Sequence, residues 1–459
     1  MVGQITAGAL EIQMKTSSWP PGLVDALMAG VPTCWLLTGS IFFGMAAKAA
    51  EIPDLVLPAG VGVNIHFTRG HERDLDLIAA AGFKFVRMDF LWSEIEHKKG
   101  SYDWSAYDEL TAHLDRRGIR AYYILDYSNP LYEEMAAGND PISGKEQKVL
   151  ASPQHPESIE AFARWAAASA KHFQGRHVVW EIWNEPDGSF WAPKPDVNQY
   201  TALALATAKA IRAVDPQGTI FAPATSGIPL PFLESFMKSG ALEFLDGVSV
   251  HPYRPPGRPP ETAAADFKKL RELIETETSP TQKRPIPIIS GEWGYSSHAK
   301  GVSPAIQAEF IARQQLSNLL NGVPISIWYD WKNDGGDPNE NEHNFGTVGQ
   351  DLLPKPAYTA IKTLTRELAG FRIGSRYASA SQDDFVLILT NAPGETKLAA
   401  WTLGEPHPIM VHLQTSPAKE ISLVNGEGQE SKIEIRTGGF ALPLSAAPRY
   451  ITLGHMHLN

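Results

Sequence analysis

"WEIWNEPDGSFW", residues 180–191, is the stretch on which the fold turns. With Val178 and Val179 in front, the run "VVWEIW" is too apolar for a strand with one wet face, and it reads as a strand covered on both sides. It stops at Asn184, Glu185 and Pro186. Pro186 has no N–H and cannot continue a central ladder, so the strand ends there. Leaving a carboxylate at the end of a covered strand is costly unless it is paired or has work to do.

Seven further runs of this kind accompany it: 61–67, 83–90, 120–127, 219–224, 247–253, 286–294 and 324–331. Between them lie amphipathic stretches at 71–81, 107–117, 158–173, 198–213, 231–239, 262–276, 305–320 and 356–368. In 158–173, Ile159, Phe162, Trp165, Ala166, Ser169 and Phe173 recur at i, i+3, i+4 spacing and form one apolar stripe. Strict alternation of strand and helix predicts a parallel sheet with crossover helices. Eight such units, over a span somewhat longer than the typical ~250 residues, predict a (β/α)8 TIM barrel across 50–368. A doubly wound open sheet is the alternative, but "VGVNIHFTRG" carries no G-x-G-x-x-G after the first strand.

From 369 to 459 the pattern changes to short β-type runs, "DDFVLILTN", "TKLAAWTL", "PIMVHLQT", "KEISLVN", "SKIEIRT" and "RYITLG", with no helical stripe between them. These predict a small C-terminal all-β sandwich domain. At the other end, 28–47 is an almost uncharged apolar run followed by Ala47-Lys48-Ala49. Residues 1–49 therefore read as a secretory signal peptide cleaved near Ala49, or as an N-terminal anchor, and either predicts a secreted or periplasmic protein. The one cysteine, Cys34, lies inside that run, which leaves no intramolecular disulfide. A formal charge of −11 disfavours nucleic acid and anionic membranes as partners. Twelve tryptophans suit a protein that stacks sugar rings, although most indoles fill cores.

Functional groups of a barrel collect at the C-terminal ends of its strands. The polar residues there are Asn64 and His66, Arg87 and Asp89, Asp126, Asn184 and Glu185, His251 and Tyr253, Glu292, and Asp330. Two glutamates on the fourth and seventh strands face each other across a barrel, the arrangement glycoside hydrolysis demands. One carboxylic acid protonates the leaving oxygen, and a second carboxylate attacks the anomeric carbon or activates water. Gly291 and Gly294 flank Glu292 and suit a tight strand exit.

The pair "WNEP" and "GEWG", with "GFKFVRMDFLWSEIEHKKGSYDWSAYDEL" (82–110) and "NFGTVGQDLLPKPAYTAIKTL" (344–364), resembles clan A retaining glycoside hydrolases. The chain is most similar to glycoside hydrolase family 39, and family 5-like relatives share most of these motifs. The resemblance implies Glu185 as general acid/base and Glu292 as nucleophile, with no cofactor and no metal. It implies that Asn184 binds the sugar 2-hydroxyl, Arg87 keeps the nucleophile ionised, Tyr253 hydrogen-bonds Glu292, and His251 lines the same wall. Trp328 matches the tryptophan that floors the reacting sugar. Asn64, His66, Asp126 and Trp331 are placed at the cleft rim, and Trp191 is either a subsite platform or loop packing. Trp92, Tyr127 and Trp191 together favour an extended cleft.

The function so implied is hydrolysis of a β-linked oligo- or polysaccharide by double displacement. Endo action on cell-wall glycan or exopolysaccharide, and exo action as a β-xylosidase or β-glucosidase, both remain open. Two rivals stand beside it. A non-catalytic carbohydrate-binding protein on the same scaffold would be free to lose one glutamate of the pair. A metal-dependent hydrolase finds little support: His66 has no His at i+2, and the only H-x-H is His455–His457 in the tail. The acidic stretch 329–344 lacks the spacing of a calcium loop.

Overall fold

The computed structural model describes residues 52–140, 144–282, 284–414, 419–436 and 438–459. The apolar run 28–47 and Cys34 lie outside the described residues. Ten strands precede the C-terminal region: β1 (Val61–Asn64), β2 (Phe85–Leu91), β3 (Arg120–Asp126), β4 (Met135–Asn139), β5 (Glu146–Leu150), β6 (Val179–Ile182), β7 (Thr219–Ser226), β8 (Gly247–His251), β9 (Ile288–Trp293) and β10 (Ser326–Trp328). Eight close into a parallel barrel in the order β1-β10-β9-β8-β7-β6-β3-β2. The exceptions, β4 and β5, form an antiparallel hairpin inside the 128–157 insertion. Neither strand contains a buried residue, so no buried run announces them in the sequence.

The helices are α1 (Glu72–Ala80), α2 (Trp92–Ile95), α3 (Ser105–Asp115), α4 (Pro156–His172), α5 (Val197–Val214), α6 (Leu230–Met237), α7 (Ala264–Glu277), α8 (Pro304–Leu320) and α9 (Pro356–Glu367). Their starts follow local chemistry. Asp196 accepts hydrogen bonds from the Asn198 and Gln199 amides at the head of α5, and Ser303 accepts one from Ile306 at the head of α8. Pro156 opens α4, where its missing N–H leaves nothing unsatisfied. The stripe of α4 buries Ala161, Phe162, Trp165, Ala166, Ser169 and Ala170.

The period of two along each strand sorts the barrel interior into layers. Phe85, Tyr122, Val179, Phe221, Ile289, Ile325 and Ile327 fill its lower part with an apolar plug. Two residues further along their strands the interior turns polar: Phe85 is followed by Arg87 and Val179 by Glu181, with Ser249 beside them. The site is built on that polar layer.

Eight more strands follow: β11 (Phe371–Arg376), β12 (Asp384–Asn391), β13 (Thr396–Thr402), β14 (His407–His412), β15 (Glu420–Val424), β16 (Glu430–Glu434), β17 (Gly439–Leu444) and β18 (Arg449–Gly454). Six form an antiparallel sheet, β11-β12-β13-β18-β15-β16, and β14 pairs with β17. Val386, Leu398, Ala400 and Ile451 of the large sheet meet Val411, Phe440, Leu442 and Leu444 of the small one in a shared core. The alternate residues Leu387, Leu389, Ala399, Trp401 and Tyr450 join the barrel's core instead. The large sheet is therefore covered on both faces. β11 and β17 are additional to the six β-type runs. β17 carries Gly439 and Pro443, which read as breakers but are tolerated in a two-stranded ribbon.

Candidate active site

Arg87 is the hub. It is 1% exposed on β2 and reaches Glu181, Glu292, Asn64, Asn184 and His251. Nε donates to Glu181 Oε2 at 2.9 Å, and Nη2 forms an ion pair with the same oxygen at 2.7 Å. Nη1 donates to Glu292 Oε2 at 2.5 Å and to Asn64 Oδ1 at 3.2 Å. Nη2 also donates to Asn184 Oδ1 at 2.9 Å and lies 3.3 Å from His251 Nε2. A guanidinium holds five donors in a rigid fork, so one arginine gathers five side chains from four strands and their ends.

Glu292 sits near the end of β9, with Tyr253 OH donating to Oε1 at 2.7 Å. Burial would raise its pKa. The His251 and Arg87 charges, with hydrogen bonds from Tyr253 and Arg87, outweigh burial and hold it below the ordinary glutamate value. The flanking glycines serve close approach. A Cβ on Gly291 would meet Ser249 Oγ at 2.3 Å and Glu181 Oε1 at 2.8 Å, and one on Gly294 would meet the Tyr329 carbonyl at 1.7 Å.

Glu185 leaves β6 in the left-handed region, at φ 45°, two residues after Trp183 at φ 70°. Non-glycine residues there carry strain of order 1 kcal/mol, and such strain concentrates at functional sites. The Glu185 amide is tied to the Ala224 carbonyl at 2.9 Å, and its Oε1 lies 3.0 Å from His251 Nδ1. The His251 ring is fully buried. Burial lowers its pKa, but the charges of Glu292 and Glu185 and the hydrogen bond to Glu185 raise it overall. Side-chain oxygens of Glu185 and Glu292 and a ring nitrogen of His251 all lie within 4.8 Å of one another.

The structure brings together Glu185, Glu292, Asn184, Arg87, His251, Tyr253 and Asn64 in one connected set. His66 stands beside them, with Nε2 3.5 Å from both Asn64 Nδ2 and Asp330 Oδ2. Other placements need correction. Trp191 is fully buried; its Nε1 donates to Gln199 and its ring packs on Trp183 and Tyr200, so it is loop packing and offers no platform. Trp331 is buried rather than at the rim, with Nε1 donating to Asp74 Oδ1 at 2.9 Å. Trp328 has no open face on which a sugar could rest, because its ring is enclosed near Tyr295.

Asp126 lies beneath the rim. Burial and then the neighbouring Asp89 carboxylate push its pKa well above the ordinary aspartate value. Trp92 is also fully buried, which leaves Tyr127, stacked on Phe190 and hydrogen-bonded to Asn184, as the half-exposed member of the aromatic trio. Glu181 was not singled out from the sequence. It accepts from Arg87, Tyr122 OH (2.6 Å) and Ser249 Oγ (2.5 Å), and the signal was available as an acid inside a strand otherwise apolar.

A model of the cellulase family (glycosyl hydrolase family 5) matches residues 58–335. The structure of a family 39 glycoside hydrolase from Bacteroides cellulosilyticus is similar at TM-score 0.73 and 25% identity, covering 88% of this chain and 82% of that one. A family 39 β-xylosidase from Caulobacter crescentus shares the fold at TM-score 0.61 and 19% identity, over 89% and 98% of the two chains. In sequence, the chain is 26% identical over 281 residues to a β-xylosidase of Geobacillus stearothermophilus, covering 53% of this chain and 55% of that protein. A β-xylosidase of Caldicellulosiruptor saccharolyticus matches at 23% over 305 residues, covering 61% and 60%. The chain thus spans little more than half the length of these curated relatives. The chain belongs to the cellulase family, glycosyl hydrolase family 5, and within clan A of the glycoside hydrolases it is most like family 39.

Proposed function

We propose that the protein is a retaining β-glycosidase that cleaves β-linked saccharides by double displacement. The observation that carries this reading is the separation of the two glutamates. Oxygens of Glu185 and Glu292 lie within 4.8 Å of each other. Retaining enzymes hold their carboxyls about 5–5.5 Å apart, whereas inverting enzymes need about 6.5–9.5 Å to admit a water between them.

In the first half-reaction Glu292, ionised beside Arg87, attacks the anomeric carbon as Glu185 gives its proton to the leaving oxygen. Forming the glycosyl ester removes the negative charge of Glu292. Glu185, having given up its proton, then acts as base toward the incoming water. Asn184, held by Arg87 and Tyr127, presents its amide beside the acid and suits the sugar 2-hydroxyl.

For the substrate, the names of the curated relatives make β-xylosides the first choice. The burial of Trp92 and Trp191 removes the aromatic support for a long multi-subsite cleft, and we adopt exo action on short β-linked chains. Export through the N-terminal apolar run belongs to the same proposal. No helix among the described residues is long and apolar enough to cross a membrane.

The test is a panel of aryl β-glycosides and β-linked oligosaccharides with product anomers read by NMR, followed by trapping with a 2-fluoro glycoside of an accepted sugar. Retention with the label on Glu292 supports the reading. Inversion, or a label on Glu185, overturns it.

A further inference from the structure

Beside the glutamate pair, where β1 and β10 meet, stands a second cluster that the double displacement does not use. His66 follows β1, and Asp330 and Asp334 follow β10; one ligand atom from each lies within 4.8 Å of the others. Asp330 is 1% exposed, and neither of its carboxylate oxygens has a hydrogen-bond partner. An ionisable group so buried and so poorly satisfied needs a counter-charge or a ligand.

The neighbouring cations are committed elsewhere. Lys332 Nζ donates to Asp74 Oδ1 at 3.1 Å. Lys355 Nζ donates to Ser297 Oγ, Asn333 Oδ1 and the Asn344 carbonyl at 3.0–3.2 Å. That leaves His66 as the partner shared by two acids, with Nε2 3.5 Å from Asp330 Oδ2 and Asn64 Nδ2 at the same distance.

We propose that His66, Asp330 and Asp334 bind a divalent first-row transition cation of the zinc or manganese class. The spacing supports this. A tetrahedral zinc with bonds of about 2.0–2.1 Å sets its ligand atoms about 3.4 Å apart, close to the 3.5 Å between His66 and Asp330. Asp334 is exposed, and its carboxylate oxygen lies within 4.8 Å of the other two ligand atoms. One imidazole with two carboxylates suits zinc, manganese or iron and is a poor set for calcium, which takes six to eight oxygens. Two negative charges balance a dication; His66, which Asp330 holds protonated against burial, gives up that proton when its nitrogen takes the cation. The cluster opens into a cavity of about 280 Å³ lined also by Phe67, His71 and Gln350, where water or sugar hydroxyls fill the remaining positions.

Isothermal titration of the chelator-stripped full chain with zinc, manganese and calcium chloride tests the site without any turnover. Expected is one zinc per chain at micromolar affinity or tighter, with calcium at least ten-fold weaker. His66→Gln and Asp334→Asn, both at exposed side chains, each weaken zinc at least ten-fold, as does Asp330→Asn if it folds. His455→Gln/His457→Gln and Glu185→Gln leave zinc binding unchanged. Absence of saturable binding overturns the proposal. So does calcium binding as tightly as zinc, or zinc binding that survives His66→Gln and Asp334→Asn or is lost in the tail or Glu185 variants.

Discussion

Glu181 Oε2 accepts from Arg87 at 2.9 Å on the side of the guanidinium away from Glu292, which takes its own bond from Nη1 at 2.5 Å. The arginine charge is thus divided between a structural acid and the nucleophile. Removing one partner of a buried pair leaves the other uncompensated, so Glu181→Gln is expected to cost about 3 kcal/mol in denaturant unfolding. The undivided Arg87 charge then favours ionised Glu292 more strongly, and the acid limb of kcat/KM moves to lower pH. Unchanged stability with an unmoved limb would show that Glu181 does not balance Arg87.

Glu185→Ala should reduce kcat/KM on poor leaving groups by about 10²–10⁴-fold, the usual share of general acid–base catalysis. Aryl glycosides with acidic leaving groups should still glycosylate the enzyme, and azide should restore turnover as a glycosyl azide of retained configuration. Glu292→Ala should abolish covalent trapping and is not rescued in that sense. Since Glu292 lies below the ordinary glutamate value of about 4.3, its ionised form contributes stability that is present above that pH. The contribution is lost as pH falls through the lower folded value, and Glu292→Gln should flatten the stability profile there.

Asp187 offers a pH test of opposite sign. Burial pushes its carboxyl up to about 6, with the Glu185 charge adding to the effect against hydrogen bonds from the Ser226 and Asp187 amides. The folded state then holds a proton that the unfolded chain releases from about pH 3.9 upward. Stability therefore falls as pH rises from about 4 to 6 and levels above. Asp187→Asn keeps an acceptor for the Ser226 amide and should remove that fall, as read from urea midpoints between pH 4 and 7.

Gly294→Ala should be the more damaging of the two glycine substitutions around the nucleophile. Its Cβ would lie 1.7 Å from a backbone carbonyl, and backbone cannot rotate away as a side chain does. A loss at or above the upper end of the 1–3 kcal/mol typical of overpacking is expected, with kcat falling as β9 and the Tyr329 turn separate. Gly291→Ala meets side-chain oxygens and should cost less. Equal midpoints for the two variants would contradict this ordering.

Trp401 ties the C-terminal sheet to the barrel. Its Nε1 donates to Glu261 Oε1 at 2.7 Å, and Glu261 also pairs with Arg313 at 2.8 Å from both oxygens. Trp401→Phe should cost about 1–3 kcal/mol, the penalty of leaving a buried acceptor short of a partner. Because the sheet shares the barrel core, calorimetry should show one unfolding transition in both proteins. Two resolved transitions would separate the units.

The barrel was legible because its helices carry an apolar stripe and its strands a covered apolar run, as the consecutive α4 and β6 show. The glutamate pair was legible because Pro186 and the glycines punctuate the strands that deliver it. The β4–β5 hairpin was not, since its half-wet strands bury little and their pairing depends on the hairpin closing. The tryptophans were misjudged for a related reason: an indole at a strand end can face the cleft or the helix layer, and the sequence is the same in both cases.

The sequence by itself determined the order of elements, the two carboxylates and the strands that present them, because these follow from covalent spacing and the period of two. Only the tertiary structure decided what surrounds them. Arg87 and Glu181 are 94 residues apart, and Asp330 meets His66 across the seam that closes the barrel. Such partnerships depend on strand register around a closed sheet, and they set which acid stays ionised, which tryptophan is sealed away, and which buried carboxylate has a single histidine beside it.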